Sequence, residues 1–193
     1  MFDVITGIVW SIVYLLIVIY GIRYKKEKKI MMPLIPGSIC IAWELNALII
    51  SRGLWVHVLW LGLDVFIFIL NIYNIAKLRN RILYITMTVF WAVFFAFLFR
   101  ITAFDLMFIS SFLLDLGIAV GYVIKAKDIS RHGQIPIAIT KLLGDMCACI
   151  FYSQFSNLIV VIGIIVFLLN LYYLAKCLDL AARVFENKCK KRG

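Results

Sequence analysis

Seven apolar runs divide the chain, at 4–22, 34–50, 54–76, 82–99, 104–124, 135–152 and 158–175, with the polar residues gathered in the short intervals between them. Each run nears or exceeds the ~17–25 residues with which a helix crosses the hydrocarbon layer. The pattern predicts an all-α, polytopic membrane protein of seven transmembrane helices. Short connections imply that consecutive helices are antiparallel neighbours in one bundle, a single seven-helix domain over 1–193. Pro33, Pro36 and Pro136 fall near helix starts, where the proline ring is tolerated.

The third and seventh runs echo each other. Phe68-Ile69-Leu70-Asn71-Ile72-Tyr73-Asn74-Ile75-Ala76-Lys77 is matched by Phe167-Leu168-Leu169-Asn170-Leu171-Tyr172-Tyr173-Leu174-Ala175-Lys176. The fifth run gives a weaker echo, with Asp115 at the position of Asp64. The simplest arrangement is helix 1 followed by three related helical hairpins, 2–3, 4–5 and 6–7. Repeats of this kind often hold a ligand site at the bilayer midplane between the units.

Charge adds orientation. The chain is 65% hydrophobic and 16% charged, against roughly 25% charged in a soluble domain. Its net charge of +10 is not the footprint of a nucleic-acid binder, because the basic residues sit in the intervals. Segments 23–29, 77–81, 125–131 and 176–192 together carry +13, whereas Asp3, Arg52, Arg100 and Asp105 on the opposite side sum to zero. Basic loops stay in the cytoplasm, so the N-terminus is expected outside and the C-terminus in the cytoplasm. The first run follows Asp3 and ends in a basic block, the marks of a retained helix rather than a cleaved signal. The lipid bilayer is the expected environment, a plasma membrane in a bacterium or an endomembrane in a eukaryote. Five cysteines, an odd number in such a setting, read as free thiols.

Five ionisable residues remain inside the runs: Glu44, Asp64, Asp115, Lys141 and Asp145. Such residues are costly in a bilayer and usually face the protein interior, where they pair, titrate or react. Glu44 lies in Gly37-Ser38-Ile39-Cys40-Ile41-Ala42-Trp43-Glu44-Leu45-Asn46. Its functional reading is a proton-transfer group, and the alternative is an interhelical hydrogen bond made by a buried carboxyl. His57, Asp64 and Asn71 recur every seven residues on one face of the third helix, and Ser111, Asp115 and Tyr122 form a stripe on the fifth. On the sixth helix Gln134, Lys141, Asp145 and Tyr152 share a face, and Lys141 is four residues from Asp145, the spacing of an intrahelical ion pair.

Glu44, Asp64, Asp115 and Asp145 all fall at middle depth, which predicts one shared acidic cavity. Glu44, Asp64 and Asp115 are the expected catalytic residues; Trp43, Trp60, Asn71, Lys141, Asp145 and Asn170 are the expected substrate contacts. The aromatic run Phe90, Trp91, Phe94, Phe95, Phe97 and Phe99 reads as lipid contact and packing, and Trp43 and Trp60 as rings able to steady a cation. His57, beside Trp55 and Trp60, reads as an interfacial belt residue. No metal, phosphate-loop, Ser-His-Asp or dinucleotide signature is present, so neither metal nor cofactor is expected.

Several of these stretches resemble one family. Met32-Pro33 through Ile41-Ala42-Trp43-Glu44, Trp60-Leu61-Gly62-Leu63-Asp64, Arg131-His132-Gly133-Gln134 and Lys141-Leu142-Leu143-Gly144 are similar to segments of the seven-helix integral-membrane terpene cyclases of fungal meroterpenoid and indole-diterpene pathways, which also occur in bacteria. The resemblance implies a lipophilic prenylated substrate, protonation of a terminal epoxide or alkene, ring closure through carbocations and final loss of a proton. It also implies two central acids, of which Glu44 matches the first while Asn170 stands at the second. Either Asp64, Asp115 or Asp145 takes that second role, or the chain keeps the fold without the chemistry. Beside the cyclase stand two further readings, a proton-coupled small-molecule transporter and a non-catalytic membrane partner protein.

Overall fold

The computed structural model describes residues 2–23, 32–51, 54–101, 104–125, 134–154 and 156–190. The basic segments 24–29 and 126–131, Arg52, the 131–133 part of the Arg-His-Gly-Gln motif and residues 191–192 lie outside them. The described residues form seven α-helices: α1 (Phe2–Arg23), α2 (Leu34–Ile50), α3 (Trp55–Asn74), α4 (Leu78–Ile101), α5 (Phe104–Lys125), α6 (Gln134–Tyr152) and α7 (Asn157–Lys190). Five of them, α1, α3, α4, α6 and α7, contain segments long and apolar enough to cross a membrane, and the apolar parts of α2 and α5 are shorter. On α1 the exposed face is Ile8, Ile12, Leu15, Ile19 and Ile22 while Val13, Tyr14 and Ile17 are buried. An apolar outer face of this extent is that of a multi-pass membrane protein, for which lipid replaces water as the surrounding solvent.

Local chemistry sets the helix ends. Pro33 precedes the first turn of α2 with φ −56° and ψ 136°, and its carbonyl accepts from Gly37 N at 2.9 Å. The break between α3 and α4 is only Ile75 to Lys77. There Ile75 N donates to Asn71 O at 2.9 Å, and Arg81 Nε donates to Ile75 O at 2.6 Å. α7 runs 34 residues, well past the apolar run that ends at 175. Its extension is rich in Leu, Ala, Lys, Arg and Glu, strong helix formers, and carries an exposed Arg183–Asp179 pair one turn apart at 3.0 Å.

The packing departs from a chain of adjacent hairpins. Six helices form a closed ring in the order α1, α3, α2, α5, α7, α6 and back to α1, whereas α4 lies outside it, packed mainly on α2. α2–α3 and α6–α7 are packed hairpins as expected, but α4 and α5 barely touch and α1 has no extended contact with α2. Two close approaches accompany this arrangement. A Cβ at Gly121 of α5 would stand 3.0 Å from Pro33 and 3.1 Å from Pro36, so its absence lets α5 seat against the start of α2. A Cβ at Gly144 of α6 would stand 3.2 Å from the Trp10 ring, and α1 takes that space. α4 is tied to α2 by Asn46, whose Nδ2 donates to Ala92 O at 3.1 Å, and by a buried cluster of Ala42, Trp43, Ala47 and Phe95.

Gly121 and Gly117 offer a controlled comparison on one helix, since nothing stands within 4 Å of a Cβ at Gly117. Gly121→Val is expected to cost about 1–3 kcal/mol through overpacking and to lower the thermal midpoint of the detergent-solubilised protein. Gly117→Val should leave that midpoint near wild type. Equal effects at the two positions would refute the close α2–α5 seat.

Candidate functional site

Within the helix ring lies a cavity of ≈ 160 Å³, walled by α1, α2, α3, α5 and α6. A cavity of about 150 Å³ accommodates benzene, so this one has room for about one six-membered ring. Its aromatic lining is Trp10, Tyr14, Trp43, Trp60, Phe112 and Tyr152, and its polar lining includes Thr6, Cys40, Glu44, His57, Ser111 and Asp115. No residue of α4 reaches it. Phe90, Phe94 and Phe97 are instead exposed on the outer face of α4.

On one wall α2 and α3 bring Glu44 and His57 together. Their exposures are 4% and 7%, and His57 Nδ1 lies 2.8 Å from Glu44 Oε2. Burial of an ionisable group without a partner costs several kcal/mol, and each of these side chains is the other's partner. Rings hold the pair in place. Trp43 and Trp60 flank the imidazole at centroid distances of 5.9 and 6.0 Å, the second edge-on. Both indoles are anchored to other helices: Trp43 Nε1 donates to Ser110 Oγ on α5 at 2.9 Å, and Trp60 Nε1 donates to Ser11 Oγ on α1 at 3.0 Å. With the N–H groups satisfied in this way, the indole π faces remain for the cavity.

Opposite stands a charge knot. Lys141 Nζ lies 2.6 Å from Asp115 Oδ1 and 2.6 Å from Asp145 Oδ2, and its ammonium sits 4.8 Å from the centroid of the Trp10 ring. Asn170 Nδ2 on α7 donates to the same Asp145 oxygen. The Lys141–Asp145 pair follows the four-residue spacing, and the reach to Asp115 adds a third helix. Because α5 and α6 have no extended packing against each other, this link spans the ring interior. Asp115, with 14% of its side chain exposed, is the member that meets the cavity.

The structure thus sorts the residues singled out from sequence. Glu44, Asp115, Trp43 and Trp60 line the cavity. Lys141, Asp145 and Asn170 stand behind Asp115, fully or almost fully buried, away from its surface. Asp64 is buried off the cavity, with Oδ2 unpartnered among the described residues. Asn71 lies nearer the far end of α3, where Nδ2 donates to Tyr84 Oη on α4 at 3.2 Å. The expectation of one cavity shared by four acids is therefore corrected: two carboxylates reach it. Equal depth along the membrane normal does not bring side chains to the same side of their helices.

His57 is a second correction, being a buried partner of Glu44 and not a belt residue. Its place at the head of the His57, Asp64, Asn71 stripe was the available signal, because that stripe faces inward along its length. The contribution of α1 also escaped the sequence reading. Thr6, Trp10 and Tyr14, four residues apart, form a polar and aromatic seam in a largely aliphatic helix, and all three line the cavity. Among the described residues no group of three or more His, Cys, Asp or Glu side chains is arranged to hold a metal.

Removing one partner from a buried ion pair costs about 3–5 kcal/mol, and removing all members is often neutral. Lys141→Met is accordingly expected to lower the thermal midpoint sharply, and Lys141→Met combined with Asp115→Asn and Asp145→Asn to recover most of the loss. A single variant as stable as wild type would show that the knot is not held by charge.

Set against protein-family models, curated proteins and solved structures, the chain matches none.

Proposed function

We infer that the protein is a membrane enzyme that cyclises or isomerises a lipophilic prenylated substrate by proton transfer, as its resemblance to the integral-membrane terpene cyclases implies. The observation that carries this reading is the joining, in one ring-sized cavity, of a buried Glu44–His57 pair and an Asp115 carboxylate with walls of Trp10, Tyr14, Trp43 and Trp60. The chain crosses the membrane seven times in this reading, with the N-terminus outside and the C-terminus in the cytoplasm. α2, at 17 residues and about 25 Å, is a short crossing, supported by its place inside the bundle.

In the proposed reaction the Glu44–His57 pair gives a proton to the end of the substrate held in the cavity. Positive charge then forms on carbon, where the negative faces of the aromatic rings stabilise it and the apolar walls keep water from capturing it. Asp115 supplies a fixed negative charge on the far wall, oriented by Lys141, and a proton is finally lost from carbon to the Glu44–His57 pair. One proton enters and one leaves, so product and substrate have the same mass. Asn170 needs no acid role in this scheme. It holds Asp145, which holds Lys141, and the second acid of the family corresponds in function to Asp115.

A second reading, a proton-coupled carrier, draws on the Lys141 link between Asp115 and Asp145, an arrangement of charges able to exchange partners within a bundle. It predicts pH-dependent flux without chemical change. The described helices run without internal breaks, and carriers commonly build their sites from interrupted ones.

The deciding experiment compares lipid extracts from cells expressing wild type, Glu44→Gln, Asp115→Asn and, as a control on the outer face of α4, Phe94→Leu, at matched membrane abundance. A pair of compounds of equal mass and different retention should interconvert with wild type and Phe94→Leu. In the two carboxyl variants conversion should fall about 10²–10⁴-fold, the scale of general acid–base catalysis. No equal-mass pair in any strain would remove the cyclase reading in favour of transport.

A further inference from the structure

The Glu44–His57 contact says more about the proton than the presence of a carboxyl does. His57 Nδ1 is engaged with Glu44 Oε2, and both residues line the cavity. Neither Glu44 Oε1 nor His57 Nε2 has a hydrogen-bond partner among the described residues. Two polar atoms, on side chains more than nine-tenths buried, thus remain for whatever occupies the cavity.

The bonding at Nδ1 restricts where hydrogens can sit. The pair is electrically neutral when it holds two protons, either as carboxylic acid and neutral imidazole or as carboxylate and imidazolium. In the first arrangement, with the acid hydrogen on Oε2, the acid donates to Nδ1, so the imidazole hydrogen is on Nε2. In the second, both ring nitrogens carry hydrogen. Nε2–H is common to both. Loss of one proton leaves Nδ1–H donating to the carboxylate and Nε2 bare. In these arrangements the atom that gains and loses hydrogen at the cavity is the imidazole Nε2, while the shared hydrogen stays between the two side chains; the remaining neutral arrangement, with the acid hydrogen on Oε1 and Nδ1–H donating to Oε2, leaves Nε2 bare and is told apart by where the ring hydrogen sits.

We propose that His57 is the catalytic residue that passes protons to and from the substrate, through Nε2, and that Glu44 is its positioning partner. This rests on the cyclase reading for the identity of the substrate but not for the behaviour of the pair. The step balances simply: the Nε2–H bond breaks as a new bond to hydrogen forms on the substrate, the Nε2 lone pair is released, and the hydrogen at Nδ1 is held by Glu44. The proton lost at the end of the reaction returns to Nε2. An imidazole-strength donor acts on an oxygen or another heteroatom base in preference to an isolated alkene. Trp43 and Trp60, anchored to Ser110 and Ser11, prevent the ring from turning and exchanging its nitrogens. Besides Glu44, the titratable groups around the imidazole are Tyr14 of α1, Cys40 of α2, Asp115 of α5 and Tyr152 of α6 on the cavity, with Asp64 lower on the same helix.

The chain has two histidines, so His132→Gln leaves His57 as the single imidazole. Nitrogen-15 magnetic resonance of that variant, labelled at histidine and held in lipid nanodiscs, reads each ring nitrogen directly. At neutral pH Nε2 is expected to carry hydrogen while Nδ1 is engaged with Glu44, and adding Glu44→Gln should redistribute hydrogen between the two ring nitrogens. Hydrogen confined to Nδ1, or a distribution indifferent to Glu44→Gln, overturns the proposal. Lipid extracts from a His57→Gln strain supply the second arm. Undiminished interconversion there overturns the role of His57 and leaves the cyclase standing, whereas hydrogen on Nε2 without any equal-mass pair in wild type retains the proton-carrying pair and rejects the cyclase.

Discussion

A charge buried among hydrocarbon must be met by another charge, and in this bundle that requirement is satisfied between helices that do not pack on each other. Lys141 of α6 reaches Asp115 of α5 although the two helices have no extended contact, and Asp145 and Asn170 complete the arrangement from α6 and α7. Three helices are thereby joined through side chains, and Asp115 is the member of that junction at the cavity, whose other walls come from α1, α2, α3 and α6.

Against that frame the two walls differ in kind. Asp115 is bound to a lysine that never leaves the interior, so its surroundings are set by the fold. Glu44 and His57 face each other and carry between them a changeable number of hydrogens. Aromatic rings connect the walls, and the serine anchors of Trp43 and Trp60 tie α2 to α5 and α3 to α1. Each anchor removes a buried N–H that would otherwise be unsatisfied and joins two ring members whose backbones need not be tightly packed. The same bonds serve folding and the shape of the site.

Much of this was legible in the chain. Apolar run lengths located all seven helices, since length and composition are local properties, and the four-residue spacing of Lys141 and Asp145 announced their pairing. Glu44 and Asp115 stood out because a carboxyl in an apolar run needs a reason. What sequence position did not disclose was rotation and neighbour choice. Asp64 and Asp115 occupy matching places in related segments, yet one is buried off the cavity and the other lines it. His57 near a loop and between tryptophans looked interfacial, but the short α2–α3 connection folds it back onto Glu44. The close seats of α5 on α2 and of α1 on α6 use two glycines, Gly121 and Gly144, whose meaning lies in the residues opposite them, Pro33, Pro36 and Trp10. Those are long-range facts.

The ring order bears on how the protein is made. α1 emerges first, but its packing partners are α3 and α6, and its seam of Thr6, Trp10 and Tyr14 faces lipid until they arrive. Some 130 residues separate the end of α1 from the end of α6, an interval of about 6–26 s at 5–20 residues per second. A nascent chain lacking α6 and α7 has no Lys141 to hold its carboxylates and no closed interior. Until α6 is made, the growing chain is an incomplete bundle with its polar seam uncovered.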